Sequence, residues 1–113
     1  MYKRQSHNRA EEYFKQFTHL LGEHFREERS VGFYARQLCI TPKYLTTLIK
    51  RISGQSVSEW IDNYVILEAK ALLKSGQYTI QQVSDMLNFA NQSFFGVYFK
   101  KAVGCSPTAY KEM

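Results

Sequence analysis

Two segments of the chain carry side chains that could recognise a nucleic acid, and the first spans residues 41–52. Apolar residues recur there at helical spacing and predict a buried side made of Leu45, Leu48, Ile49 and Ile52. The opposite side then carries the polar residues Lys43, Thr46, Thr47 and Lys50. A lysine can donate to guanine O6 or N7, and a threonine can hydrogen-bond a base edge or place its methyl group against thymine. Lys43, Thr46 and Thr47 are therefore candidates for base contacts.

The second segment, residues 91–103, offers fewer polar side chains. Its aromatic residues are predicted to be buried or to anchor the helix by a hydroxyl: Phe94, Phe95, Tyr98 and Phe99. The candidates for base contacts are then Gln92, Ser93, Gly96 and Val97. Gln92 is the strongest of these, because its amide can bond adenine at two positions. Since Gly96 and Val97 offer little hydrogen bonding, this segment is expected to use close backbone approach, methyl contact and DNA shape, and to be less selective.

Basic pairs near the end of each segment are candidates for contacts with phosphate groups: Lys50-Arg51 and Lys100-Lys101. Ser30 and Thr79 join them, because each stands at a predicted helix N-terminus, where free amides attract anions. Such contacts set affinity and position rather than sequence preference. The alternative is an ordinary solvated helix end, where cations also favour the helix dipole. The recurrence of the pair beside both candidate faces favours phosphate contact.

Capping residues and apolar periodicity divide the chain into seven predicted helices, an all-α fold. An amphipathic first helix is predicted over residues 9–26, after a flexible arm of residues 1–8. The domain of residues 9–113 is then expected to contain a helix-turn-helix at about 30–54, a linker helix at about 56–75, a second helix-turn-helix at about 79–104 and a last helix at about 106–113.

An internal repeat relates the two helix-turn-helix units. At an offset of 49 residues, the first unit aligns with the second at the pairs Ala35 and Ser84, Leu38 and Leu87, and Ile40 and Phe89. The offset then becomes 50, which pairs Tyr44 with Phe94, Lys50 with Lys100, and Gly54 with Gly104. The second copy therefore has one extra residue in its turn. A linker helix of about 26 Å would allow two recognition helices to enter successive major grooves, about 34 Å apart.

Residues 89–110 resemble the signature of the AraC/XylS family of bacterial transcription regulators, through Phe89-Ala-Asn-Gln-Ser-Phe-Phe-Gly-Val-Tyr-Phe-Lys-Lys101, Gly104-Cys-Ser-Pro107 and Tyr110. The resemblance implies a seven-helix bipartite domain that binds double-stranded DNA at asymmetric promoter sites, usually as an activator touching RNA polymerase. It also places Lys43, Thr46 and Thr47 where family members usually face bases. Most members carry a ligand-binding or dimerising domain ahead of this one, so this sequence is either part of a longer regulator or a stand-alone member. The isolated domain is expected to be a monomer, and a longer protein to dimerise through the preceding domain.

Two positions depart from the family pattern. The linker helix of the family commonly carries arginine where this chain has Val65, so no phosphate contact is expected there. A glycine is usual where Asn88 stands, and asparagine tolerates the left-handed conformation that such a turn needs.

Composition narrows the classes of function. Fifteen Lys and Arg against ten Asp and Glu give a net charge of +5, which favours a polyanionic partner. No metal or cofactor site, catalytic constellation, signal peptide or membrane span is indicated, so a cytoplasmic binding protein is expected. Two alternatives stay open: a helical protein-docking module, whose binding would depend little on salt, and an architectural DNA binder with little sequence preference.

Overall fold

The computed structural model describes the backbone of residues 2–113 and the side chains of residues 9–113. Throughout this part the chain is all-α, as the capping pattern predicts. Its seven helices are α1 (Tyr2–His24), α2 (Val31–Gln37), α3 (Pro42–Ser53), α4 (Val57–Lys74), α5 (Ile80–Met86), α6 (Gln92–Val103) and α7 (Pro107–Glu112). They form two compact units, Met1–Ile61 and Asp62–Met113, and the boundary falls inside α4.

From α2 onward, side-chain caps begin the helices at or next to the bounds that the sequence predicts. Thr41 caps α3 by accepting a hydrogen bond from a backbone amide, and proline occupies the first turn. At α4, the Ser56 hydroxyl accepts from the Glu59 amide at 3.1 Å, while the Glu59 carboxylate accepts from the Ser56 amide at 2.8 Å. Thr79 and Gln82 form the same reciprocal pair at α5. These bonds satisfy amides that a helix N-terminus otherwise leaves unpaired.

The first helix differs from its predicted bounds at both ends. It begins at Tyr2 rather than near residue 9, because residues 2–8 contain neither the glycine nor the proline that would interrupt a helix. It ends at His24, where the amide of Glu27 donates to the His24 carbonyl at 3.0 Å and closes a tight turn. The flexibility predicted for residues 1–8 stays a prediction, since Met1 and the side chains of residues 2–8 lie outside the described residues.

One type of turn occurs twice in the chain: it joins α2 to α3 in the first unit and α5 to α6 in the second. Cys39 and Asn88 stand at equivalent positions in the two turns, and each has a φ of 59°. The next amide in each turn donates at 3.0 Å to a carbonyl five residues back, from Ile40 to Ala35 in one unit and from Phe89 to Ser84 in the other. The left-handed conformation predicted for Asn88 is confirmed. Cys39 adopts it as well, which the sequence did not suggest.

In the first unit, aromatic side chains of α1 and α2 pack with the start of α4. The rings of Phe17 and Tyr34 meet edge to face at 5.7 Å, and both side chains are fully buried. The Tyr34 hydroxyl donates to the Glu28 carbonyl at 2.8 Å, and burial raises the pKa of this phenol well above its usual range. Trp60 packs against Phe14 at 5.6 Å, and its indole N–H donates to Ser53. The unit therefore combines apolar packing with satisfied polar groups.

In the second unit, α6 packs inward through Phe95 and Phe99, whose rings lie 5.8 Å apart and are fully buried. The Tyr98 hydroxyl donates to the Asp62 carboxylate and so ties α6 to α4. Val65 of α4 is also fully buried, which places this side chain in the protein interior. An apolar residue suits that position, since a charged one would have to be desolvated.

Ser84 of α5 is a buried polar side chain without a hydrogen-bond partner. Its equivalent in the first unit is Ala35, which is also fully buried. At this equivalent buried position, the second unit therefore has a hydroxyl group where the first unit has only a methyl group. Burying an unpaired hydroxyl costs about 1–3 kcal/mol, so Ser84 is expected to lower the stability of its unit.

Replacing Ser84 by alanine is expected to raise the free energy of unfolding by about 1 kcal/mol or more, because it removes the unpaired hydroxyl. The reciprocal change, Ala35→Ser, introduces one and is expected to lower that free energy by a similar amount. Urea unfolding followed by circular dichroism measures both. A loss of stability on Ser84→Ala would show that this hydroxyl is paired in solution.

Candidate nucleic-acid interface

Buried residues on the inward side of α3 determine which of its side chains face outward. Leu45, Leu48 and Ile49 are fully buried, as their spacing predicts. Gly54 ends the helix at a φ of 80°, with its amide bonded to the Lys50 carbonyl at 2.8 Å. Only glycine adopts this left-handed conformation without steric cost, so the end of the helix is set locally.

All the side chains of α3 that are predicted to contact DNA are exposed: Lys43, Thr46, Thr47, Lys50 and Arg51. Tyr44 is 41% exposed and packs edge-on against Tyr13 of α1. The predicted burial of Ile52 is wrong, since its side chain is 37% exposed. Ile52 lies in the last turn, beyond the part of α3 that packs inward, and periodicity alone does not show where packing stops.

The outward side of α6 is less polar. Gln92 and Ser93 are exposed in the first turn, Val97 is 69% exposed, and Gly96 is half-buried between them. The predicted burial of Phe94 is wrong, since its ring is 62% exposed. Phe94 directly precedes the fully buried Phe95, and consecutive helical residues point about 100° apart. A run of aromatic residues hides this difference from a reading of composition.

The predicted phosphate-binding residues are exposed in both units. Lys50 and Arg51 lie in the last turn of α3, and Lys100 and Lys101 lie in the last turn of α6. The side chains of two further candidates cap short helices: Ser30 accepts from the Phe33 amide at 3.1 Å, and Thr79 accepts from the Gln82 amide at 3.0 Å. Phosphate contact by any of these six residues stays a prediction.

Electrostatics distinguish the two basic pairs. The bond from the Ser56 amide, then the Ser56 hydroxyl and the nearby charge of Lys50, hold the pKa of Glu59 below its usual value. Glu59 therefore carries its negative charge near Lys50 at neutral pH. The residue at the equivalent position of the second unit is Ala109, which has no charge. The sequence could have revealed this difference through the repeat.

Among the described residues, no cluster of His, Cys, Asp and Glu side chains has the arrangement of a metal site. Over the same residues, every helix is too short or too polar to cross a membrane.

Comparison with known proteins identifies a matching domain family and relatives with similar sequences. A model of the helix-turn-helix domain family matches residues 34–113. The arabinose operon regulatory protein of Salmonella typhimurium is 31% identical over 93 residues, which cover 82% of this chain and 32% of that protein. The protein of the same name from Escherichia coli is 31% identical over 72% of this chain and 28% of its own length. The chain thus spans about a third of these relatives.

Solved structures show the same fold. The C-terminal domain of AraT, a response regulator from Geobacillus stearothermophilus, superposes with a TM-score of 0.83 at 26% identity, covering 88% of this chain and 84% of that one. The DNA-binding domain of AdpA, solved in complex with a target DNA, gives a TM-score of 0.77 at 20% identity over 87% of this chain and 88% of its own.

The family match covers most of the chain, and the fold contains both helix-turn-helix units of the repeat. The chain therefore belongs to the AraC-type helix-turn-helix family of DNA-binding domains.

Proposed function

We propose that this domain binds double-stranded DNA in a sequence-specific manner and regulates transcription, with α3 and α6 in successive major grooves. One observation carries the proposal. Each copy of the repeated motif exposes a helix face that ends in a basic pair, while the opposite side of the same helix carries fully buried apolar side chains, such as Leu45 on α3 and Phe95 on α6. An α-helix fits the major groove, where each base pair presents a distinct pattern of donors, acceptors and methyl groups.

The two helices are proposed to have unequal roles. Lys43, Thr46 and Thr47 supply donors and a methyl-bearing face on α3, so the first unit carries most of the sequence preference. On α6, Gln92 is the proposed base reader, with Ser93, Gly96 and Val97 beside it. Basic residues at the ends of both helices neutralise phosphates and set affinity: Lys50, Arg51, Lys100 and Lys101.

The length of α4 supports two half-sites on one duplex. Eighteen residues of α-helix extend about 27 Å, of the same order as the 34 Å that separates successive major grooves. A single chain then recognises two half-sites that differ in sequence, because the exposed residues of α3 and α6 differ.

The names of its relatives support a regulatory role. The curated relatives named above are operon regulatory proteins, and AdpA is described as a global transcriptional factor. We propose that the domain acts in the cytoplasm and activates transcription through contact with RNA polymerase. The isolated domain is proposed to be a monomer, and dimerisation, where it occurs, to reside in a domain outside this sequence.

A protein-docking module is the second candidate, favoured by the exposed apolar side chains of Phe94 and Val97. Salt separates the two, since phosphate contacts release counterions and make DNA binding weaken steeply as salt rises. An apolar docking surface would not show that dependence. The ratio of specific to non-specific affinity separates sequence-specific binding from architectural binding.

Selection of duplexes from a random pool at physiological salt is expected to recover two short motifs about one helical turn apart. Lys43→Ala is expected to blur only the motif read by α3, and Gln92→Ala only the one read by α6, since each removes a base-edge donor. Each variant is expected to lose about 1–3 kcal/mol of discrimination between the preferred base and the others at the affected position. Recovery of no motif, or of one indifferent to both changes, would favour the architectural or docking alternative.

Phosphate contact by the second basic pair predicts a change in salt dependence. Lys100→Gln is expected to weaken specific and non-specific duplexes alike and to reduce the slope of log K against log salt by about 0.9. Lys15→Gln is the matched control, since Lys15 is also exposed but lies on α1, outside both candidate reading helices. Equal slopes for the two variants and the unaltered protein would remove Lys100 from the interface.

A further inference from the structure

At two outward positions, the side chains of α3 carry hydroxyl groups and the equivalent side chains of α6 do not. Tyr44 of α3 is the equivalent of Phe94 of α6, and Thr47 is the equivalent of Val97. Phenylalanine is tyrosine without its hydroxyl, and valine has the shape of threonine with a methyl group in place of the hydroxyl. The side chains at these two positions therefore keep nearly the same shape while their chemistry changes from polar to apolar.

Phe94 and Val97 form a continuous apolar surface on α6. They are three residues apart, which makes their side chains neighbours on a helix. Phe94 is 62% exposed and Val97 is 69% exposed, so most of each side chain faces solvent in the isolated domain. Gly96 adds no side chain beside them, and an added Cβ at Gly96 would meet no other atom within 4 Å.

Charge around this surface favours a nucleic acid as its occupant. Lys100 and Lys101 follow one turn later on the same helix, and both are exposed. The equivalent surface of α3 combines Tyr44 and Thr47 with Lys50 and Arg51. Apolar side chains beside a basic pair suit a partner that presents an apolar group close to anionic groups, as DNA does in its major groove between the phosphate backbones.

Only one base presents an apolar group in the major groove, the C5-methyl group of thymine. We infer that Phe94 and Val97 recognise a thymine methyl group and so make α6 selective for a thymine-containing half-site. This inference rests on the proposed DNA binding and assigns its specificity. Burial of that methyl group against the two side chains supplies the selectivity that the missing hydroxyls cannot.

Uracil substitution tests the inference, because uracil lacks only the methyl group and keeps the O4 acceptor. Each thymine of the selected duplex is replaced singly, and the dissociation constant is measured by fluorescence anisotropy at constant salt. For the unaltered protein, we expect about fourfold weaker binding at one or two positions of the half-site read by α6, from the loss of one buried methyl group. Phe94→Ala and Val97→Ala are expected to bind the thymine duplex more weakly and to abolish that uracil penalty.

Matched variants separate this role from general loss of binding. Thr47→Ala, at the equivalent position of α3, is expected to leave the uracil penalty in the α6 half-site unchanged. Val97→Thr keeps the volume of the side chain and is expected to reduce the penalty, since it replaces one methyl by a hydroxyl. Thermal melts establish that each variant is folded, which is expected because both side chains lie largely outside the core.

Three outcomes would overturn the inference. A selected half-site without thymine, or a uracil penalty that persists in both alanine variants, would refute the methyl contact while leaving sequence-specific DNA binding intact. Failure of the unaltered protein to select any duplex would refute the proposed function and the inference with it. In that case, salt-independent capture of an apolar peptide by the unaltered protein but not by Val97→Ala would identify the surface as a docking site.

Discussion

The direction of both candidate reading helices depends on one backbone turn, in which a left-handed residue joins a short helix to a longer one. Cys39 and Asn88 occupy that position with the same φ, although neither is the glycine that suits it best. The hydrogen bond that follows, back to Ala35 or Ser84, closes the turn in both units. Because it is made by backbone atoms, it permits different side chains at the same point. The motif can therefore be duplicated without preserving its sequence.

Separation of inward from outward residues follows from this fixed turn. Leu45 and Phe95 occupy equivalent inward positions of the two reading helices, and both are apolar and fully buried. Outward positions change their chemistry freely, from Lys43 to Ser93 and from Thr46 to Gly96. A change on the outward face costs little stability, since those side chains make few contacts within the protein. Two copies of one framework thus present different exposed side chains, and an asymmetric binding site follows from the proposed function.

Local signals made most of the fold predictable from the sequence. The exposure of individual side chains within a run of aromatic residues could not be predicted in this way. Caps such as Thr41 and the pair Thr79 and Gln82 act through bonds between residues close in sequence, so their effect can be derived without tertiary structure. The exposure of Phe94 depends on how α6 is rotated against its unit, which tertiary packing decides. The start of α1 was missed because no residue marks it. For the candidate site, the sequence predicted the exposed residues of both helices, including Val97, but the exposure of Phe94 became apparent only in the structure.

Joining two modest reading faces in one chain changes what the duplex must provide. Each helix is proposed to make few base contacts, and a good contact discriminates by only about 1–3 kcal/mol. Once one unit is bound, binding of the other becomes intramolecular, which can raise overall affinity by about 10²–10⁴-fold without any further contact. That gain disappears when the half-sites are wrongly spaced, because both units cannot then bind together. In the proposed complex, the spacing of the two half-sites is therefore part of what the chain recognises, alongside the bases that Lys43 and Gln92 are proposed to read.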